Sequence, residues 1–208
     1  LATAPTHDPR VSVHILPGLS QATPADVMRG EETQIAGFLF HNPDFDGVIC
    51  LPGTHSKWVH ISAGEVVSFR TFITGELFET LAQHSVLRHS VGQGWDSNAF
   101  DAAVDEALSK PEMLAARLFT IRADGLLNGV NGDAARARLS GLLIGAEIAA
   151  AKPYWLGQNI ALIGAPKLSA LYAQALEAQG VLTVVASVNE MTLAGLRAAH
   201  ASLKEQRK

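Results

Sequence analysis

Three short segments of this sequence carry residue types that suit phosphate chemistry. The first is Leu51-Pro-Gly-Thr-His-Ser-Lys57, set between the apolar runs 47–51 and 58–61. A Gly-Thr turn between two strands lets several backbone N–H groups point outward together. Gly53 admits close approach of a phosphate oxygen, and Thr54 adds a hydroxyl donor. Lys57 brings positive charge to the same end of the hairpin. The same pattern also makes a plain hairpin turn, in which His55 and Lys57 are ordinary turn and surface residues. The second segment is Arg29-Gly-Glu-Glu-Thr-Gln34, with two carboxylates where a helical pattern starts and the helix dipole favours negative charge. The third is Gly164-Ala-Pro-Lys167, which follows the apolar run 160–163 and opens a helix. Helix N-termini at strand ends favour anions, although a simple β–α turn has the same form.

The elements that must position these segments read as follows. Residues 11–16 alternate and end at Pro17-Gly18, a strand and turn. After a loop with Pro24, the pattern from Val27 to Phe40 is helical and stops at Asn42-Pro43. Strands follow at 47–51, 57–62 and 65–72, with a tight connection through Ala63-Gly64. A helix is expected over 74–87, capped by the Thr74 hydroxyl. A Gly-rich loop at 89–98 leads to helices at 98–109 and 111–122, with Pro111 at a helix start, and to a long helix at 134–151. Gly141, Gly145 and Ala149 form a small-residue stripe on that helix, which predicts close helix packing between lobes. The end alternates cleanly: strand 160–163, helix 167–178 with Gly180 as its cap, strand 182–186, helix 189–203.

Composition narrows the classes. Of 208 residues, 48% are hydrophobic and 17% charged, enough for a substantial core and too apolar for disorder. A net charge of −4 argues against non-specific nucleic-acid binding. The one cysteine, Cys50, lies in an apolar strand, so no internal disulfide forms and a reducing compartment, the cytoplasm, is expected. The longest apolar stretch, 139–151, is interrupted by Glu147 and is too short to span a bilayer, so no membrane association is expected. None of the eight histidines has metal-ligand spacing with a Glu or Cys, so no protein-held metal is expected.

Three antiparallel strands followed by alternating helix and parallel strand is the ribonuclease-H-like order, used in duplicate by actin-like ATPases. In them the turn between the first two strands of a lobe holds ATP phosphates. Five segments strengthen the likeness: Ile15–Leu19, Val27–Gln34, Pro52–Val59, Phe69–Leu77 and Leu139–Glu147. Together they resemble the 2-dehydro-3-deoxygalactonokinases, sugar-acid kinases of that superfamily, over nearly the whole chain. Members of that family begin with a lobe carrying an Asp-x-Gly-Ser/Thr motif that has no counterpart here. The expected fold is therefore α/β: a ribonuclease-H-like lobe of an actin-like ATPase, with the end of a first, truncated lobe. Residues 1–45 would be the end of that lobe and the interlobe segment. Residues 46–208 would be the second lobe, with a helical insertion at about 74–130. The start at Leu1 rather than Met fits a missing upstream part, and the fragment alone would be inactive.

The resemblance implies ATP with Mg2+ as cofactors and a small sugar acid as substrate, phosphorylated on its 6-hydroxyl. Such a kinase needs a carboxylate near the attacking hydroxyl. By position that base is Glu31, with Glu32 as the alternative. Gly53, Thr54 and Lys57 would contact ATP phosphates, and Gly164 and Ala165 adenosine. Arg29 and Arg70 are candidates for the substrate carboxylate, which a guanidinium matches bidentately; either could equally be in an ion pair. A kinase for another sugar, or a non-catalytic sugar or nucleotide sensor, remains open, as does a homodimer.

Overall fold

All five residues of Gly47–Leu51 are buried, and so are all five of Ile160–Gly164, because helices cover both faces of one central sheet. The computed structural model describes residues 2–205. Two small antiparallel hairpins come first: β1 (Ala2–Ala4) with β2 (Val13–Ile15), and β3 (Leu19–Ala22) with β4 (Ala25–Met28). Helix α1 (Glu31–His41) leads into β5 (Gly47–Leu51), β6 (Ser56–Ser62) and β7 (Glu65–Phe72). A helical group follows: α2 (Thr74–His84), α3 (Ser97–Ser109), α4 (Leu114–Leu127), α5 (Gly132–Ala150) and the short α6 (Lys152–Trp155). The chain then alternates through β8 (Ile160–Gly164), α7 (Pro166–Glu177), β9 (Thr183–Ser187) and α8 (Val188–Glu205).

The sheet runs β7-β6-β5-β8-β9, with β5, β6 and β7 antiparallel and β8 and β9 parallel to β5. This is the connectivity expected from the sequence. One face packs Val48, Cys50, Trp58 and Leu162 against α3, α5 and α7. The other packs Ile49, Val59, Ile61 and Ile163 against Ile35 and Phe38 of α1 and Met191 of α8. The β6–β7 turn takes positive φ at both Ala63 (50°) and Gly64 (75°), as a two-residue hairpin twisted with the sheet requires.

Four expectations are corrected. The helix placed from Val27 starts at Glu31, because Gly30 has φ 106°, outside the helical range, and residues 25–28 form β4. The β3–β4 hairpin has its own task at the sheet edge. Gln21 accepts from the Phe69 N–H (3.1 Å) and Asp26 from the Thr71 N–H (2.8 Å), so donors on edge strand β7 are satisfied by side chains. The expected helix over 74–87 ends at His84, followed by a 3-10 turn at Val86–His89, and Thr74 makes no cap: the N-cap is Ile73 and Thr74 is buried. Similarly Pro111 opens a 3-10 turn ahead of α4 rather than the helix itself. The Gly141 and Gly145 stripe does mark close helix packing, but against α3: added Cβ atoms there would lie 2.5 Å from the Phe100 carbonyl oxygen and 2.8 Å from that of Val104.

A second close crossing was not foreseen. A Cβ on Gly37 of α1 would meet the Met191 carbonyl oxygen at 1.9 Å, and one on Gly195 of α8 would meet that of Thr33 at 1.9 Å. The two backbones touch, and neither can retreat without opening the core. Gly37→Ala is expected to destabilise the protein by about 2 kcal/mol or more, checked by denaturant unfolding. An exposed Ala36→Gly change on the same helix should cost only about 1 kcal/mol, which separates packing from helix propensity.

Candidate active site

The carboxyl ends of β5 and β8 meet at one edge of the sheet, where open α/β sheets bind ligands. Two cavities lie there and share the turn residues Gly53 and Thr54. The smaller, about 370 Å³, is bordered by Arg29 and Glu31, by the 52–55 turn with Lys57, and by Gly164 and Ala165. Seven of the nine residues singled out in the sequence therefore line one cleft: Arg29, Glu31, Gly53, Thr54, Lys57, Gly164 and Ala165. Gln34, His55 and Val188 join them there and carried no sequence signal of their own.

Glu31 and Lys57 are the charged pair at its floor. The reversal at Gly30 turns the two first-turn glutamates back onto the chain: Glu31 Oε2 accepts from the Arg29 N–H (3.0 Å), and Glu32 Oε2 from the Gly30 N–H (2.6 Å). The other oxygen of Glu31 lies 2.5 Å from Lys57 Nζ, which also donates to the His55 carbonyl oxygen (2.9 Å). The Lys57 side chain is only 6% exposed and Glu31 23% exposed. Lys57 is thus no solvated hairpin lysine. Its charge is buried and neutralised, as a buried ammonium requires. Glu32, by contrast, does not border the cleft.

The glycines divide by what their missing side chains would meet. A Cβ on Gly75, at the start of α2, would lie 2.3 Å from the Gly53 carbonyl oxygen, and the Glu76 N–H donates to the Thr54 carbonyl oxygen (3.0 Å). The phosphate-type turn is strapped to the head of α2. Gly164 would place a Cβ 2.9 Å from the Pro52 carbonyl oxygen, so the β8–α7 connection is pressed against the same turn. Gly53 differs: its added Cβ would meet nothing within 4 Å, and its φ lies outside the positive range. The fold itself makes no demand for glycine there.

The larger cavity, about 900 Å³, extends from the turn between α2, α5 and α7. Phe78, Trp95, Leu168 and Leu171 supply apolar wall, and Arg136 and Lys167 supply charge. The Arg136 guanidinium sits 5.0 Å from the centre of the Phe78 ring. Apart from Lys167, none of these was legible as a site, because they come from α2, α5, α7 and the loop before α3, whose meeting depends on tertiary packing.

Beneath the shared turn lies Glu147 of α5, 3% exposed. Its Oε1 accepts from Trp58 Nε1 (2.8 Å), and its Oε2 from Ser56 Oγ (3.0 Å) and the Tyr172 hydroxyl (2.8 Å). None of the ion pairs among the described residues involves it. Burial raises its carboxyl above the ordinary value, and donation from Thr74, Trp58, Tyr172 and Ser56 opposes this without cancelling it. Burial likewise pushes the Tyr172 hydroxyl and the Cys50 thiol well up, so both stay protonated beside it. The sequence showed Glu147 only as an interruption of an apolar helix.

Arg70 stands apart. It is paired with Trp58 across β6 and β7, and so shares the sheet face of α3 and α5, opposite the Glu31–Lys57 face; its side chain is exposed and borders neither cavity. Of the two guanidinium candidates, Arg29 borders the smaller cavity and Arg70 does not, because alternation along the strand puts residue 70 on the other sheet face.

A mixed sheet flanked by helices, with a strapped Gly-Thr turn at the strand ends between two cavities, defines an ATPase-type fold of the actin-like class. The activator of 2-hydroxyisocaproyl-CoA dehydratase from Clostridium difficile, solved with bound ADPNP, shares this fold at a TM-score of 0.51 and 11% identity, over 86% of this chain and 69% of that one. The sequence model of the 2-keto-3-deoxy-galactonokinase family matches residues 2–199, and the chain belongs to that family. It is 43% identical over 194 residues to a Rhizobium meliloti (strain 1021) protein named "Probable 2-dehydro-3-deoxygalactonokinase DgoK1". It is 36% identical over 195 residues to the 2-dehydro-3-deoxygalactonokinase of Escherichia coli (strain K12). These matches take in 90% and 91% of this chain but only 63% and 66% of the relatives, so the chain spans about two thirds of their length. A crystal structure of a candidate 2-dehydro-3-deoxygalactonokinase from Sinorhizobium meliloti matches with a TM-score of 0.90 at 40% identity, over 97% of this chain and 69% of that one.

The raised carboxyl of Glu147 has a sign that stability measurements can read. The folded state binds the proton more tightly than the unfolded state does. The contribution of Glu147 is therefore most favourable below about 4.5, its ordinary value, and is lost as pH rises through the raised folded value. The unfolding free energy of the protein minus that of Glu147→Gln should fall as pH rises through this window and then level off. Denaturant unfolding of both proteins across pH checks this; a difference that grows with pH would show that the hydrogen bonds outweigh burial.

Proposed function

We propose that the intact protein is an ATP-dependent kinase that phosphorylates the 6-hydroxyl of 2-dehydro-3-deoxygalactonate. The observation that carries this reading is Gly53, a glycine at the junction of two cavities that neither backbone conformation nor protein packing requires. The space left open there suits a phosphate oxygen approaching the main chain. In this reading the nucleoside lies in the larger cavity, with Gly164 and Ala165 near it at the β8–α7 turn. The phosphates cross the turn at Gly53 and Thr54, and the acceptor sugar reaches the cleft that holds Glu31.

The attacking 6-oxygen then forms a bond to the γ-phosphorus as the bond to the β-phosphate oxygen breaks and ADP leaves. Glu31 accepts the hydroxyl proton, since it borders the cleft and Glu32 does not. Lys57 takes a different part from direct phosphate contact: paired to Glu31, it fixes that carboxylate and keeps positive charge beside the transferring group. Arg29 lies exposed at the rim, in none of the ion pairs among the described residues, and is the guanidinium available to the sugar-acid carboxylate. Mg2+ enters as the MgATP substrate. Among the described residues no three His, Cys, Asp or Glu side chains form a metal-ligand set, so phosphate and water oxygens would carry most of its coordination.

The relatives' extra length supports a further lobe closing over this cleft. Residues 1–45 would end that lobe and link it to residues 46–208, with the helices from about 74 to 130 as an insertion. Closure would exclude water that would otherwise compete for the phosphoryl group.

Two measurements on the full-length protein test this. Glu31→Gln keeps an acceptor for Lys57 but removes the base, and kcat for sugar-dependent ADP release should fall about 10²-fold or more. Turnover within about tenfold of the unsubstituted protein would remove Glu31 from the role. Gly53→Ala should leave thermal stability unchanged and weaken ATP binding about tenfold, a loss of about 1.4 kcal/mol. Unchanged ATP affinity would mean the open space serves no phosphate.

A further inference from the structure

We propose that Glu147 is a positioning residue for the nucleotide phosphates, acting through Ser56 and Tyr172 without touching the ligand. The inference rests on the nucleotide reading above.

A carboxylate at this point of α5 is costly, since it is buried with no cation to offset its charge. An apolar residue of similar volume would fill the space without that cost. What a carboxylate adds is two oxygens able to hold several donors in one fixed constellation. The donors come from different parts of the site. Ser56 begins β6, two residues beyond Thr54. Tyr172 belongs to α7, which starts directly after Ala165, and its side chain borders the larger cavity. The turn itself is braced by α2, whose second residue, Gly75, rests on the carbonyl of Gly53. Ser56 Oγ and the Tyr172 hydroxyl converge on the same Glu147 oxygen and lie 3.1 Å apart, so that one oxygen brings the turn side and the α7 side together. Trp58, the remaining donor, anchors the group to the middle of the sheet.

One carboxylate thus sets the spacing between α7 and the strand that follows the phosphate turn, while Gly75 holds the head of α2 against that turn. The Glu31 cleft floor stands on a different support. It hangs on α1, the Gly30 reversal and Lys57, on the other sheet face. Loss of the Glu147 charge should therefore be felt by the nucleotide and not by the sugar acid.

The test uses the full-length protein and its Glu147→Gln, Ser56→Ala and Tyr172→Phe variants, alone and with Glu147→Gln. The readouts are ATP affinity by calorimetry and KM for 2-dehydro-3-deoxygalactonate. Glu147→Gln should weaken ATP binding about tenfold, the loss expected for one charge-assisted hydrogen-bond set, with the sugar-acid KM within about twofold. Ser56→Ala and Tyr172→Phe should each weaken ATP binding and add nothing further in the Glu147→Gln background. ATP affinity unchanged in Glu147→Gln, equal weakening of both substrates, or fully additive double variants would each overturn the proposal. If Glu147→Gln does not fold, the two donor variants decide it: unchanged ATP affinity in both overturns it. An unsubstituted protein that binds no ATP overturns the nucleotide reading first, and this proposal with it.

Discussion

A carboxylate removed from water must find donors or a cation, and Glu147 finds only donors. Trp58, Ser56 and Tyr172 reach it from a central strand, the first residue after a turn, and a helix on the far side of the cleft. Trp58 and Ser56 are held by β6 and Tyr172 by α7, so the group cannot be satisfied unless that strand and that helix stand at a fixed distance. The architecture around the cavities depends on this constraint. The turn at residues 52–54 presses on Gly75 and on Gly164, and the carboxylate below ties the strand after that turn to α7. The raised carboxyl is the mark of that arrangement, because burial outweighs donation.

The second buried charge follows the opposite solution. Lys57 faces the α1 side of the same strand that sends Ser56 and Trp58 to the α5 side, and it meets Glu31 directly. Strand alternation thus delivers neighbouring residues of β6 to two supports on opposite faces of the sheet. One face carries the donors that hold the turn, and the other carries the ion pair at the cleft floor. The backbone contact between α1 and α8 at Gly37 and Gly195 fixes the height of α1, and with it the reach of Glu31.

Much of this was legible in the chain. The strands β5 to β9 were read within one or two residues, because apolar runs bounded by Gly, Pro and Asn leave few alternatives. The strand order followed from the succession of strands and helices. The residues that border the cleft were legible where local chemistry marks them: a Gly-Thr turn, a first-turn glutamate, a glycine after a strand. The misreadings arose where local pattern met a distant neighbour. Residues 25–28 have helical-looking content but lie as a strand along β7, and Thr74 has a capping residue's type but turns inward toward Glu147. Arg70 pairs with Trp58 and lies on the sheet face opposite Lys57, since its face depends on register.

The sequence by itself determined the periodicities, the turn chemistry and the family, because these reside in residues close together along the chain. Tertiary structure alone decided that Lys57 pairs with Glu31, that Gly53 is free of packing while Gly75 and Gly164 are not, and that Glu147 collects donors from a strand and a helix. Those outcomes depend on which atoms share a few ångströms of space after folding. Ser56 and Glu147 are 91 positions apart in the chain and within a hydrogen bond of each other in the fold, and no local rule of propensity or spacing encodes that distance.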